Sequence, residues 1–179
     1  MFSTKKELIV WELFGFLFVI VVGTLLHFTY QWSGKCPAAG YFSPVNESTW
    51  EHLKLIFMPM LLYSIVEYLA IGRNSKGLPA AKAIGIMLGM LTIITVFYTY
   101  TGVIGTHYLP LDIITFLLGV TVAFVSSWRI LQNMHISKGA QIAVLLLLGV
   151  IAVCFVVFTD YAPQIALFKD PVTGTYGRI

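Results

Sequence analysis

Five long apolar runs restrict what this sequence can fold into. Each is close to the roughly 20 residues that a helix needs to cross a hydrocarbon core of about 30 Å. The runs cover residues 8–31, 53–71, 82–104, 109–132 and 139–161. With 58% hydrophobic residues and a mean hydropathy of +0.86, the chain is too apolar for a soluble domain. The sequence therefore predicts an all-α integral membrane protein with five transmembrane helices and short loops.

The five runs follow one another closely, without a tandem or inverted repeat. We therefore expect one five-span bundle over residues 1–162 and an outward-facing C-terminal tail over residues 163–179. The first run is too long for the apolar part of a secretory signal and has no small-residue cleavage site after it, so it is predicted to remain as a membrane anchor. Cys36 and Cys154 are too few for a disulfide framework.

The basic residues between the runs predict an orientation, because cytoplasmic loops are enriched in lysine and arginine. Seven basic residues fall on the side of the N-terminus and four on the other side. The first set is Lys5, Lys6, Arg73, Lys76, Lys82, Arg129 and Lys138, and the second is Lys35, Lys54, Lys169 and Arg178. This bias predicts a cytoplasmic N-terminus and an external C-terminus. A re-entrant segment would place every segment after it on the opposite side of the membrane. The net charge of +3 is divided among these small groups, so the sequence predicts no nucleic-acid partner.

Ionisable side chains concentrate at the predicted outer ends of the runs. Residues 42–54 alone bring two carboxylates, an imidazole, an amine and an indole to the start of the second run. The ionisable residues at this depth are His27, Glu47, Glu51, His52, His107, Asp112 and Asp160. A structural interpretation accounts for part of the pattern, since Ser43-Pro44 and the pair of Ser48 and Glu51 are typical of helix starts. It does not explain the residues on the other runs.

A zinc site is one explanation for the whole cluster, because histidine and carboxylate groups are ligands that zinc prefers. This hypothesis assigns His27, His52 and His107 as metal ligands. Glu51 would be the general base, and Asp112 a ligand or a carboxylate that orients one. A zinc-bound water with a pKa of about 7 could attack an ester or amide of a lipid or small-molecule substrate at the outer leaflet. No HExxH or similar close-spaced motif is present, so the ligands must converge from separate helices.

Transport is the alternative explanation, because carboxylates inside a membrane often mark proton or ion pathways. A polar path would run from the outer cluster through Thr92, Thr95 and Thr115 to the predicted inner side. The further candidates for this path are Glu47, Tyr63, Glu67, Glu12 and Asp160. Glu12 and Glu67 have simpler interpretations, since they could pair with Lys82 or Arg129 or anchor their helices at the interface.

Three segments resemble a known family: FSPVNESTWEHLK at 42–54, TGVIG at 101–105 and KDPVTGTYG at 169–177. The family consists of small bacterial integral-membrane proteins and is catalogued only as a domain of unknown function. The resemblance implies a multi-pass protein of the bacterial plasma membrane and transfers no catalytic residue. Three functions stay open: a metal-assisted hydrolase or transferase, an ion- or proton-coupled small transporter or channel, and a non-catalytic binding or scaffold protein. Each is compatible with a homo-oligomer.

Overall fold

The described part of the chain folds into helices and turns. A computed structural model describes residues 5–72 and 77–178. The α-helices are α1 (Lys5–Trp32), α2 (Pro37–Gly40), α3 (Thr49–His52), α4 (Lys54–Ala70), α5 (Leu78–Ile104), α6 (Leu109–Asn133) and α7 (Lys138–Asp160). A 3₁₀ helix over Ala166–Phe168 follows, and an isolated antiparallel bridge joins Lys169 to Tyr176 in the tail.

Five helical segments are long and apolar enough to cross a membrane. They are α1, α5, α6, α7 and the segment Thr49–Ala70, in which α4 continues the direction of α3. The predicted all-α, five-span class is therefore confirmed. The helices start and stop within about four residues of the apolar runs, because hydrophobic length is a local property of the sequence.

Local capping chemistry sets several helix ends. The Ser48 hydroxyl caps α3 by accepting the Glu51 N–H at 3.3 Å, as the structural interpretation of this segment predicts. Ser137 caps α7 in the same way through the Ala140 N–H. Gly105 ends α5 with a positive φ of 85°, a conformation that glycine adopts without steric cost.

Small residues allow the helices to approach closely. α5 and α6 share the most extensive interface, where a Cβ added to Gly85 would lie 2.5 Å from the Ala123 carbonyl oxygen. A Cβ on Gly89 would lie 2.8 Å from the Gly119 oxygen. α1 packs on α4 and α6, whereas α4 and α7 both pack on α5. At Gly85 and Gly89 the backbones of α5 and α6 therefore approach each other closely.

An apolar core fills the middle of the bundle, with Val19, Ile56, Phe57, Met60 and Val120 all fully buried. Most of α7 instead presents apolar side chains outward, as at Leu146, Val150 and Val153. An outer face of this kind suits a hydrocarbon solvent rather than water.

The antiparallel helices give the bundle two polar ends. At the histidine end, α1, α5 and α7 finish and α4 and α6 begin; at the Lys82 end, α1 and α5 begin and α4 finishes. Lys54 and Lys82 are buried inside the bundle. They are therefore not loop residues, although the prediction of orientation counts them among the basic residues of the loops. Without them the basic residues stand at six against three, and the bias keeps its direction. Arg73 and Lys76, which contribute to it, lie outside the described residues.

Candidate metal centre

The candidate metal centre consists of His27, Glu47 and His52 at the histidine end. Each residue offers one ligand atom, and the three atoms lie within 4.8 Å of one another. His27 comes from the end of α1, Glu47 from the loop before α3, and His52 from α3 itself. Glu47 Oε2 lies 3.3 Å from His52 Nε2, and the two imidazole rings are 5.1 Å apart between centroids. Three elements that are separate in sequence therefore converge on one point.

Hydrogen bonding orients the His52 ring. Its Nδ1 lies 2.9 Å from the Ser48 carbonyl oxygen, one turn earlier in the chain. A carbonyl oxygen only accepts, so this network assigns the hydrogen to Nδ1 and turns Nε2 toward Glu47. Metal-binding histidines commonly use their second nitrogen in this way, which fixes the ring and its tautomer.

The other two members of the group are also suited to a cation. His27 Nδ1 is buried without a hydrogen-bond partner, a costly state that leaves this histidine incompletely satisfied. The hydrogen bond that the His52 ring donates through Nε2 when it is protonated lowers the pKa of the Glu47 carboxyl, against the opposing effect of partial burial. Glu47 is therefore a carboxylate at neutral pH, and its side chain is about half exposed at 51%.

A cavity of about 250 Å³ adjoins this group. His27 and Glu47 form part of its wall, and Lys35 lies on the side of the loop after α1. Asp170 and Thr173 close it from the side of the C-terminal tail. The tail is thus part of the site and does not merely rest on the surface of the bundle.

The tail is held against the histidine end by polar contacts. Asp160 Oδ1 pairs with the Arg178 guanidinium at 2.5 Å, and its Oδ2 accepts the Tyr41 hydroxyl at 3.0 Å. Arg178 also donates to the Pro37 carbonyl at 2.9 Å, while the Asn46 amide donates to Gly177 at 2.8 Å. The contact with Tyr41 and the charge of Asp160 raise the pKa of Arg178, so its guanidinium stays charged at every physiological pH. Asp160 therefore holds the C-terminal tail against the bundle through Arg178 and Tyr41, and it is not part of the candidate metal centre.

His107 and Asp112 form a separate polar group. Asp112 accepts a hydrogen bond from the Tyr100 hydroxyl, and its second oxygen lies 3.1 Å from His107 Nδ1. The His107 side chain is 51% exposed and is not part of the group of three. The structure thus brings together two of the three predicted histidine ligands and places the third beside Asp112.

Glu51, the predicted general base, lies in a buried ion pair. Its Oε2 is 2.6 Å from Lys54 Nζ and accepts the Val45 N–H at 3.0 Å. Lys54 Nζ also donates to the Gly40 carbonyl at 2.9 Å and to the Thr159 hydroxyl at 2.7 Å. Glu51 is 2% exposed and Lys54 is fully buried. The pair connects α3 and α4 to α2, to the loop between α2 and α3, and to α7.

The Lys82 end contains a second buried charge cluster. Lys82 Nζ lies 2.7 Å from Glu12 and 2.8 Å from Glu67, so both carboxylates use the lysine that the sequence offers as one of their possible partners. Glu12 is 7% exposed and Glu67 is fully buried, so both side chains lie inside the bundle. The Tyr63 hydroxyl donates to the Trp11 carbonyl at 2.6 Å nearby.

The residues suggested for a polar path do not align between the two ends. Thr95 lies on an exposed face, and Thr92 bonds to the Leu88 carbonyl of its own helix. The fully buried side chains of Ile56 and Met60 lie in the first half of α4. An apolar layer therefore separates the histidine end from the Lys82 end.

Fold and site together define a helical membrane protein with five candidate spans and a histidine–carboxylate group at one end. Neither a curated protein nor a solved structure matches the chain. The profile of a family of unknown function (DUF6512) matches residues 1–178. The chain belongs to this family, in agreement with the resemblance found in its sequence.

The sequence misses one member of the candidate metal centre, since it assigns Glu47 to a polar path and not to metal binding. A signal was present, because Glu47 is the fifth residue before His52 in the loop between α2 and α3. What sequence spacing did not provide is the path of the chain through the bend at residues 45–47, after which the Glu47 carboxylate lies 3.3 Å from the His52 ring.

Proposed function

We propose that this protein is a zinc-dependent membrane hydrolase with His27, Glu47 and His52 as its metal ligands. The observation that carries the proposal is the convergence of their three ligand atoms within 4.8 Å beside a cavity of about 250 Å³. Catalytic zinc sites typically have three protein ligands and leave the fourth position to water or substrate, and two histidines with one glutamate form an established set. The donor types and their number therefore fit zinc.

Zinc held by these residues would supply a water molecule that is ionised near pH 7 and able to attack an ester or amide. The chain itself contributes orientation and charge. The Ser48 carbonyl holds the His52 ring, and the Glu47 carboxylate offsets part of the metal's charge. The tail forms one side of the cavity through Asp170 and Thr173.

The substrate is proposed to be a lipid or another membrane-borne molecule, because the cavity lies at the end of a bundle with apolar outer faces. The basic-residue bias supports a cytoplasmic N-terminus, and with it a histidine end on the outer face of a bacterial plasma membrane. The transport alternative has weaker support, since Ile56 and Met60 interrupt the polar path that it requires.

Metal analysis of the purified protein tests the proposal. We expect about one zinc per chain after loading and desalting, and we expect His27→Ala and His52→Ala to remove it. Their matched control is His135→Ala, which deletes an exposed histidine beyond the end of α6. The variant His107→Ala distinguishes this ligand set from the one predicted from the sequence, which includes His107. It should retain zinc if His27, Glu47 and His52 hold the metal.

The same distances suit a metal-free ion pair between a protonated His52 and Glu47. That arrangement would give no stoichiometric zinc in the wild-type protein, and this result would remove the proposal. Activity is the second measurement. Zinc-loaded protein, reconstituted with a total bacterial lipid extract, should produce cleaved lipids detectable by mass spectrometry, and a chelator or His52→Ala should abolish them. Zinc binding without cleavage of any lipid or added ester would support a binding role instead.

A further inference from the structure

The buried charge cluster at the Lys82 end has no part in the candidate metal centre. It consists of Glu12 on α1, Glu67 on α4 and Lys82 on α5, and all three side chains are buried. Lys82 Nζ donates to Glu12 Oε2 at 2.7 Å and lies 2.8 Å from Glu67 Oε2. The cluster therefore joins three candidate spans through one ammonium and two carboxyl groups.

These three groups are not neutral together when both carboxyl groups are ionised. Among the described residues, no other basic side chain forms an ion pair with Glu12 or Glu67. Arg129 and Lys138, which come from α6 and α7 at the same end, are exposed. Two carboxylates and one ammonium would thus bury one uncompensated negative charge. Because such a charge is costly inside a membrane bundle, binding of a single proton is the simplest way to neutralise the cluster.

Hydrogen bonding distinguishes the two carboxyl groups, because donors favour the ionised form of the group that they contact. The Ser127 hydroxyl of α6 lies 3.4 Å from Glu12 Oε2, which also accepts the lysine ammonium. Both Glu67 oxygens are buried without a hydrogen bond. The Tyr63 hydroxyl, which shares α4 with Glu67, donates to a backbone carbonyl of α1 instead. Glu67 is therefore the carboxyl group less suited to a negative charge.

The pair of Glu51 and Lys54 is a natural comparison, because it is equally buried but contains one carboxylate and one ammonium. Glu51 Oε2 also accepts the Val45 N–H at 3.0 Å. This pair is neutral when both of its groups are ionised, so it requires no added proton. The two buried clusters thus differ in their charge count.

We propose that Glu12, Glu67 and Lys82 form a proton-binding site inside the bundle, which holds one proton at neutral pH, mainly on Glu67. The proton belongs to the coupled pair of carboxyl groups, since the loss of either one changes the need for it. The site does not depend on the candidate metal centre. It is also not a path across the membrane, because the apolar layer around Ile56 and Met60 separates it from the histidine end.

Infrared spectroscopy of the full-length protein, in a detergent without ester groups, tests this proposal. A protonated carboxyl group has a C=O stretching band that a carboxylate lacks and that shifts in D₂O. The wild type should show this band at neutral pH. Glu67→Gln and Glu12→Gln should each remove it, because the remaining carboxylate then pairs with Lys82 without a proton. Glu51→Gln is the matched control and should leave the band unchanged.

The pH dependence of stability is the second measurement. An unfolded glutamate releases its proton near pH 4.3, whereas the folded cluster keeps one at neutral pH. The stability that this proton contributes is therefore complete below about pH 4.3 and is lost as the pH rises to the point where the cluster releases it. Over that range the folding equilibrium constant should fall by up to about tenfold per pH unit relative to Glu67→Gln, which has no such proton.

The Tm at neutral pH separates the two buried clusters. Glu67→Gln should keep the wild-type Tm, because glutamine resembles the protonated carboxyl group. Glu51→Gln should lower the Tm, because it leaves Lys54 buried without a counter-charge. The proposal is overturned if the wild type lacks the band of a protonated carboxyl group, or if that band persists in Glu67→Gln. Neither measurement involves a metal, so this proposal and the hydrolase proposal can fail independently.

Discussion

Replacing Lys54 with methionine should destabilise the protein strongly, although Lys54 is not part of either proposed site. Its ammonium is fully buried and makes three close contacts, with Glu51 at 2.6 Å, Thr159 at 2.7 Å and the Gly40 carbonyl at 2.9 Å. Methionine keeps a side chain of similar length but removes the charge. The Glu51 carboxylate, 2% exposed, would then be buried without its cation.

Breaking a buried ion pair by removing one partner typically costs about 3–5 kcal/mol. For a chain of this size, each kcal/mol lowers the Tm by about 2–4 °C, so Lys54→Met should lower it by roughly 6–20 °C. The double variant Lys54→Met/Glu51→Gln should recover much of the loss, because it removes the unpaired charge and retains an oxygen acceptor for the Val45 N–H.

Thermal unfolding of the purified variants in one detergent measures this effect. Tryptophan fluorescence is a suitable signal, since Trp50 packs 4.6 Å from Phe155 and 4.9 Å from Phe168 between ring centroids. Lys6→Met is the matched control, because Lys6 is exposed and its loss should change the Tm by less than about 2 °C. A Lys54→Met protein as stable as this control, or a double variant no more stable than the single one, would refute the reasoning.

Three other results are expected. Zinc affinity should fall steeply below about pH 6.5, where free imidazoles protonate. The lowered pKa of Glu47 keeps its carboxylate charged in this range, so the stability that this carboxylate contributes is lost only below the ordinary glutamate range of about 4.3. Equal zinc affinity at pH 5 and pH 8 would contradict this prediction. Gly89→Val should lower the Tm through a clash with the Gly119 carbonyl, whereas Gly149→Ala, which has open space, should not. Arg178→Ala should release the tail and increase its cleavage by protease, measured against wild type by mass spectrometry, and unchanged cleavage would show that the contacts of Arg178 are dispensable.

Much of the fold follows from the sequence because it depends on local properties. Hydrophobic length gives the five spans, and the Ser48 cap gives the start of α3. The need of Glu12 and Glu67 for a cationic partner is also readable, because a buried charge must be compensated and Lys82 is one of few nearby candidates. These features require no knowledge of how the helices are rotated against one another.

The candidate site depends on that rotation. Helical spacing predicts that His27, His52 and His107 share a depth, but depth alone does not bring side chains together. Packing of α1 against α4 joins His27 to His52, whereas His107 lies beside Asp112 at the start of α6. Glu51 is next to His52 in the sequence, but its carboxylate pairs with Lys54 and is not part of the candidate metal centre.

The sequence by itself determined the five-helix class, the helix ends and the set of ionisable residues at each end of the bundle. Tertiary structure alone decided that Glu47 joins the histidines, that Lys54 and Lys82 are buried, and that the tail closes the cavity. The physical reason is the distance along the chain over which each interaction acts. Hydrophobicity and capping act within one helix, while ion pairs and metal ligation need atoms from different helices within a few ångströms, and only the packed bundle fixes those distances.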